Sequence, residues 1–166
     1  MSDRYQIDIE KYHHQARTGP CFICEIVKKN PDYPAQRIYD DGQFLAFLDK
    51  YPIQYGHTLV SLYEHREQVT GDFNAKEYCK LQAVVYQVAE AVRKEVQAER
   101  IYIFTLGSNQ GNAHVHWHIV PLPKGVPYEK QQFAALRRSE IGVLKITEDE
   151  RISLANRICQ QLKVKT

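Results

Sequence analysis

The sequence predicts an α+β domain: one antiparallel sheet of about five strands, a long helix packed on it, a short N-terminal helix and a C-terminal helix. Three observations predict it. Apolar runs of strand length between residues 37 and 62 are joined by turn residues, Asp41-Gly42 above all. From Asn74 onward, Leu81, Val84, Val85, Val88, Val92 and Val96 recur at helical spacing. Two further strand-like runs, Ile101 to Leu106 and His114 to Val120, follow that helix directly. The order is therefore hairpin, strand, long helix and strand pair, which gives one sheet with helices on one side.

Each element has its own signal. Residues 1–19 form a polar extension that ends in the punctuation of Thr18-Gly19-Pro20. Cys21 to Val27 reads as the short helix, with Phe22, Ile23, Ile26 and Val27 apolar, and Pro31 and Pro34 end it. Arg37 to Asp40 and Gln43 to Asp49 are the hairpin strands. Residues 51–56 connect, and His57 to Leu62 is the third strand. Asn74 with Glu77 is a capping-box start for a helix running to about Ala98. Ala83, Ala89 and Ala91 widen its apolar stripe, which suits either a thick core or a face shared between the sheet and a second subunit. The histidine-rich strand stops at Pro121-Leu122-Pro123. Residues 124–146 are irregular apart from a short helix over Tyr128 to Leu136. Thr147 to Glu150 is a second capping box, opening a helix whose stripe is Ile152, Leu154, Ala155, Ile158 and Leu162.

Bulk properties exclude several classes. A chain of 166 residues suffices for one domain with a substantial core. A formal charge of +2, from 22 basic and 20 acidic residues, gives no electrostatic case for a nucleic-acid or membrane partner. Met1 to Tyr12 lacks an apolar h-region and no run is long enough to span a bilayer, so a cytoplasmic location is expected. In that compartment Cys79 and Cys159, isolated in helices, are expected to be buried, reduced thiols.

The chemistry concentrates in His114-Val115-His116-Trp117-His118-Ile119-Val120. Strand geometry puts the three histidines in one row and turns Val115, Trp117 and Ile119 to the other side. Two mechanisms want this spacing. Imidazoles at alternate positions can ligate one metal ion. Alternatively a neutral imidazole, with an ordinary pKa near 6.5, can attack phosphorus while its neighbours hold oxygens or protonate a leaving group. Gly107 to Asn112 precedes the row with amides and backbone N–H groups but no carboxylate, which favours an anion. Cys21 and Cys24, at Cys-x-x-Cys spacing, suit either zinc or a dithiol.

The row fits the His-φ-His-φ-His-φ-φ signature at every position, and here the chain resembles the histidine-triad (HIT) superfamily. Three more features carry the resemblance: Cys21-Phe22-Ile23-Cys24; Phe44 to Asp49 followed by Pro52 and Gly56-His57-Thr58-Leu59-Val60; and the Gly/Gln/Asn loop before the triad. The resemblance covers residues 20–123 as a HIT domain, flanked by the 1–19 extension and a 124–166 extension whose helix packs on the same domain. It implies a nucleotide hydrolase or transferase acting at the α-phosphate through a nucleotidyl-histidine intermediate. Dinucleoside polyphosphates, such as diadenosine polyphosphates, are the favoured substrates. A purine nucleoside phosphoramidase and a nucleotide-binding regulatory module with little turnover are the alternatives.

By position, the resemblance makes His116 the nucleophile and His118 its partner at the phosphate and leaving group, with His114 completing the catalytic row. It places His57, Gln110, Gly111 and Asn112 around the phosphate, Asp49 on the ribose hydroxyls, and Phe22, Ile23, Ile26 and Phe47 around the base. It also implies a structural zinc on Cys21, Cys24, His65 and His114, in which case His114 is structural, with no organic cofactor. A homodimer through the long helix and the Ile101 to Leu106 strand is implied as well. Gly111 stands where many relatives carry Ser or Thr, which leaves that phosphate contact to the backbone. Lys124, Arg137 and Arg138 in the tail either meet distant phosphates or form a solvated basic surface.

Overall fold

The structure, a computed structural model, describes residues 3–106 and 112–163. In chain order its elements are β1 (Arg4–Tyr5), α1 (Ile9–Thr18), α2 (Phe22–Val27), β2 (Arg37–Asp40), β3 (Phe44–Leu48), β4 (Thr58–Leu62), α3 (Ala75–Glu95), β5 (Arg100–Phe104) and β6 (His116–Leu122). A turn of 3-10 helix at Tyr128–Lys130 leads to α4 (Gln131–Leu136), α5 (Arg138–Ile141), β7 (Val143–Leu144) and α6 (Glu148–Lys163).

The main sheet is five-stranded and antiparallel, in the order β2-β3-β4-β6-β5. Alternation of side chains decides what each face buries. Phe44, Ala46, Val60, Trp117 and Ile119 turn to one side, where α3 lays down Leu81, Val85, Val88 and Val92, all at most 3% exposed. Leu154 and Ile158 of α6 join the same core, so α6 packs along the widened stripe of α3. Leu45, Phe47 and Leu59 turn the other way and meet Ile23 and Ile26 of α2. Helices therefore cover both faces, not one. The short helix takes the second face because β3 is apolar at every position and buried throughout.

Local chemistry fixes the ends. Asn74 and Glu77 make the full reciprocal capping box at the start of α3. The second box is only half formed. Thr147 Oγ1 accepts from Glu150 N at 3.3 Å, but the Glu150 carboxylate turns to Tyr55 and to Arg157. β6 runs through Pro121 instead of stopping there. Its pairing with β4 has ended at Thr58–Ile119, so the missing N–H faces no strand, while β5 stays paired as far as Leu122. Gly56 has φ +88°, and a side chain there would strike Val96.

The two terminal extensions meet each other. β1 pairs with β7, Arg4–Leu144 and Tyr5–Val143 in register. Arg4 Nη1 donates to the carbonyls of Ile53 at 2.8 Å and Gly142 at 3.2 Å, tying the N-terminus to the domain and the tail at once. Gly142, at φ +75°, lies so close to Tyr5 O that a Cβ would approach it to 2.8 Å. Cys79 is exposed on the outward side of α3, and Cys159 is half-buried with its thiol against Ile38 O. The expectation of two buried thiols fails because Cys79 lies across the helix from the Leu81, Val85 and Val88 stripe. Among the described residues no helix is long and apolar enough to cross a membrane.

Candidate functional site

The histidine run divides between two separate clusters. His116 and His118 lie side by side, ring centroids 5.0 Å apart, and both line a cavity of about 380 Å³. His116 Nδ1 lies 2.8 Å from the backbone carbonyl of His114. A carbonyl only accepts, so Nδ1 carries the hydrogen and Nε2 keeps its lone pair. His118 Nδ1 lies 3.0 Å from His57 Nε2, and the aromatic ring of Phe104 stacks on His118 at 4.9 Å and 13°. His57 is buried behind His118 and does not line the cavity.

His57 Nδ1 is approached from two directions. Ile53 N–H donates to it at 3.2 Å, and Asp49 Oδ2 stands 3.4 Å away without hydrogen-bond geometry. The bonded donor makes Nδ1 an acceptor. The hydrogens then run in one direction: Ile53 N–H to His57 Nδ1, His57 Nε2–H to His118 Nδ1, leaving a hydrogen on His118 Nε2. Burial lowers the pKa of all three imidazoles, His57 to about 4, so each is neutral at pH 7. The Asp49 carboxylate is itself engaged. Oδ1 accepts from Tyr51 N at 2.8 Å and Oδ2 from Arg138 Nη2 at 2.8 Å. Burial acts to raise its pKa, but the Arg138 guanidinium, with His57 and His118, outweighs burial and holds it well below the carboxylate range. Asp49, His57 and His118 are close enough to chelate a cation, yet the guanidinium on Asp49 opposes one, and we read the group as a hydrogen-bond chain.

The cavity walls sort the other expected residues. Phe22, Ile26 and Phe47 line it, Phe22 meeting Phe47 edge-on at 6.3 Å and His116 at the same distance. Asn112 lines it too, its Nδ2 buried and without a partner among the described residues. Ile23 does not reach the cavity. It is 0% exposed in the core with Leu45 and Leu59, because a short helix with apolar residues on several sides must turn one of them inward. Gln110 and Gly111 lie outside the described residues. Sequence reasoning missed Tyr12 and Gln15 of α1 and Tyr33, all of which line the cavity. Arg138 reaches the cavity from the tail, whereas Arg137 pairs with Glu140. Spacing carried no signal for these, since they come from segments distant in the chain.

The second cluster is Cys21, Cys24, His65 and His114, whose ligand atoms lie within 4.8 Å of one another. Sγ of Cys21 is 3.5 Å from His114 Nδ1, and Sγ of Cys24 is 3.3 Å from His65 Nδ1 and 3.6 Å from His114 Nδ1. Tetrahedral zinc with Zn–S of about 2.3 Å and Zn–N of about 2.05 Å demands S···N separations near 3.6 Å. The donor set and its spacing therefore fit zinc. Burial, then the hydrogen bond and charge of Cys21, push the Cys24 thiol up to about 11, a cost that a bound dication reverses. Glu67 Oε1, 3.0 Å from His65 Nε2, supplies the outer carboxylate that orients a ligating imidazole. The His114 side chain thus belongs to this cluster and its carbonyl to the other.

Comparison with known proteins points to one family. The HIT-domain family model matches residues 30–125. An uncharacterised HIT-like protein of Mycobacterium tuberculosis is 34% identical over 125 residues, spanning 72% of this chain and 83% of its own. An adenosine 5'-monophosphoramidase of Schizosaccharomyces pombe is 29% identical, over 62% of this chain and 74% of its own. Among solved structures, a zinc-bound histidine-triad family protein of Mycobacterium smegmatis superposes with a TM-score of 0.68 at 28% identity, covering 86% of this chain and 93% of that one.

The buried imidazoles make stability depend on pH. His57 is depressed to about 4 in the folded state against an ordinary value of 6.5, so between these values the unfolded chain binds the proton and the folded one does not. Stability present above pH 6.5 is lost as pH falls towards 4, by up to about 3 kcal/mol for this group. Urea unfolding at pH 7 and 4.5 should show a falling midpoint in the parent and a smaller fall in His57→Gln. An equal fall in both would remove His57 as the source.

Proposed function

The chain belongs to the HIT-domain family, and from that premise we propose that it hydrolyses nucleotides at the α-phosphorus, with dinucleoside polyphosphates as substrates. One observation carries the reading: His116 Nδ1 is tied to the His114 carbonyl, so the Nε2 lone pair is free at the cavity beside an apolar slot. Phe22, Ile26, Phe47 and Tyr33 give that slot the flat apolar walls a base requires.

Chemistry follows from the tautomers. In the first step His116 Nε2 forms a bond to the α-phosphorus and the bond to the leaving group breaks. The departing phosphate oxygen leaves as an anion, and His118 Nε2–H donates a hydrogen bond to it. In the second step water attacks phosphorus, the P–N bond to His116 breaks with its electron pair returning to Nε2, and the water proton passes to solvent. A nucleoside monophosphate is released and both imidazoles are restored. Arg138 and Asn112 bring a guanidinium and an amide donor to the same cavity, which suits a polyanionic chain. A second reading, cleavage of a P–N bond in a nucleoside phosphoramidate, is favoured by the likeness to the fission-yeast phosphoramidase.

Zinc in this scheme is structural. Cys21, Cys24, His65 and His114 would hold it, and when bound it would fix the His114 main chain, whose carbonyl orients His116. We also place a homodimer contact at β5, an open sheet edge with Ile103 46% exposed, and at Tyr86 on α3, and assign the protein to the cytoplasm.

Three measurements test these assignments. Brief incubation with radiolabelled diadenosine triphosphate or adenosine phosphoramidate should leave an acid-labile nucleotidyl adduct. It should be absent in His116→Ala, whose turnover should fall by several orders of magnitude; equal turnover in the variant and the parent sinks the mechanism. Purified protein should carry about one zinc per chain. That zinc should be lost in Cys21→Ser and kept in His116→Ala, the reverse pattern placing the metal on the nucleophile. Sedimentation at micromolar concentration should show a dimer that Ile103→Glu dissociates, and a monomeric parent would remove the contact.

A further inference from the structure

Arg151 is a guanidinium set between two cavities with its charge largely unanswered. Its side chain is only 16% exposed. Nη2 donates to the Asp49 backbone carbonyl at 2.8 Å, a neutral acceptor. The carboxylate beside it, Glu148, stands 3.9 Å from Nε, beyond hydrogen-bond reach. A charge this far from water is normally matched by an opposite one, because its desolvation is otherwise uncompensated. Arg138 has that match in Asp49 at 2.8 Å, and Arg151 has none so close.

The two cavities share this residue. One holds His116 and His118. The other, of about 500 Å³, is lined by Tyr5, Leu144 and Lys145 among others. Pro34, Lys50 and Arg151 line both. Pro34 follows Tyr33, a wall of the apolar slot, and Lys50 follows Asp49. Neither histidine lines the second cavity. The boundary between the cavities therefore lies on the nucleoside side of the slot, away from the reacting phosphorus.

That boundary is cationic. Lys50 is exposed, its ammonium 5.6 Å from the centre of the Tyr51 ring, and it pairs with no carboxylate among the described residues. The other charges of the second cavity are engaged. Lys145 meets Asp3 at 2.7 Å, and Glu148 accepts from Gln36 Nε2 at 2.7 Å. On the other side the Asp49 carboxylate is held by Arg138. Lys50 and Arg151 are what remains unmatched. A phosphate monoester suits them, with a charge of about −2 and oxygens that accept from both a guanidinium and an ammonium. A nucleotide seated by its base and its 5'-phosphate has two ribose hydroxyls left to carry such a group.

We propose that Lys50 and Arg151 form a second phosphate subsite, and that the protein's ligands include nucleotides phosphorylated on a ribose 2' or 3' hydroxyl as well as at 5'. The inference rests on the nucleotide reading above, but on no step of its chemistry.

Calorimetric titration with four probes tests it. Three are adenosine 5'-monophosphate and the adenosine 2',5'- and 3',5'-bisphosphates. The fourth, adenosine 5'-(α,β-methylene)diphosphate, carries its added charge on the 5' chain and resists cleavage. One bisphosphate should bind on the order of 10-fold more tightly than the monophosphate, the scale of one charge-assisted contact. That ratio should fall to near one in Lys50→Gln and in Arg151→Gln, and be largely kept in Arg151→Lys. The ratio of methylene diphosphate to monophosphate should not change in Lys50→Gln. Ratios taken within one variant cancel any general loss of nucleotide binding.

A parent that binds the monophosphate with no gain for either bisphosphate overturns the proposal and leaves the nucleotide reading standing. A gain that survives Lys50→Gln overturns it too. So does a loss in that variant that is equal for the bisphosphate and the methylene diphosphate, since the lysine then attracts any anion. If Arg151→Gln fails to fold, the parent and Lys50→Gln still decide. A parent that binds none of the four probes takes down the nucleotide reading, and the proposal with it.

Discussion

The hydrogen bond from His116 Nδ1 to the His114 carbonyl is the contact on which the rest of the site depends. It makes one imidazole nitrogen a permanent donor and the other a permanent lone pair, with no carboxylate required nearby. A main-chain acceptor can do this only if the main chain does not move. Two buried contacts pin it: Val115 N donates to Arg66 O at 2.8 Å, and Ser61 Oγ donates to Val115 O at 2.7 Å. The His114 side chain, 0% exposed and in contact with Cys21, Cys24 and His65, anchors the same residue from the other end. One residue thus joins the two clusters, its imidazole in one and its carbonyl in the other.

Register carries this arrangement across the sheet. Ser61 stands opposite His116, Leu59 opposite His118, and Phe104 opposite His118 on the other flank. Trp117 and Ile119 alternate with the histidines and are buried against α3. A slip of one residue in β6 would put both imidazoles into that core and both apolar side chains into the cavity. The core packing that makes the sheet stable is therefore also what aims the imidazoles.

Much of this was legible in the chain because it is local. Alternation showed that His116 and His118 share a face, the Asn74–Glu77 box showed where α3 begins, and the apolar stripe showed which side it buries. Cys21, Cys24, His65 and His114 were legible only through the resemblance, since the ligands are scattered along the chain. Periodicity could not separate Ile23 from Ile26, because both are apolar and sit on one short helix, and only packing tells core from cavity wall. The partner of Asp49 was not legible at all. Arg138 is one basic residue in an irregular tail, 89 positions away, and nothing in its neighbours distinguishes it from Arg137, which pairs locally with Glu140.

The terminal extensions change what kind of cavity this is. The family-matched segment, 30–125, supplies His116, His118, Phe47 and Tyr33, while Tyr12 and Gln15 of α1, Phe22 and Ile26 of α2 and Arg138 of α5 come from outside it. No residue of α1 is buried, so the helix has little apolar area of its own to hold it. It is held by the β1–β7 pair with the Arg4 contacts on one side, by the turn into α2 at Cys21 on the other, and by Tyr12, edge-on to Tyr51 at 5.9 Å. The same tail that closes the wall through β7 carries Arg138 to Asp49. Residues 138–144 therefore carry both the guanidinium that holds the Asp49 carboxylate and the strand that pairs with the N-terminus.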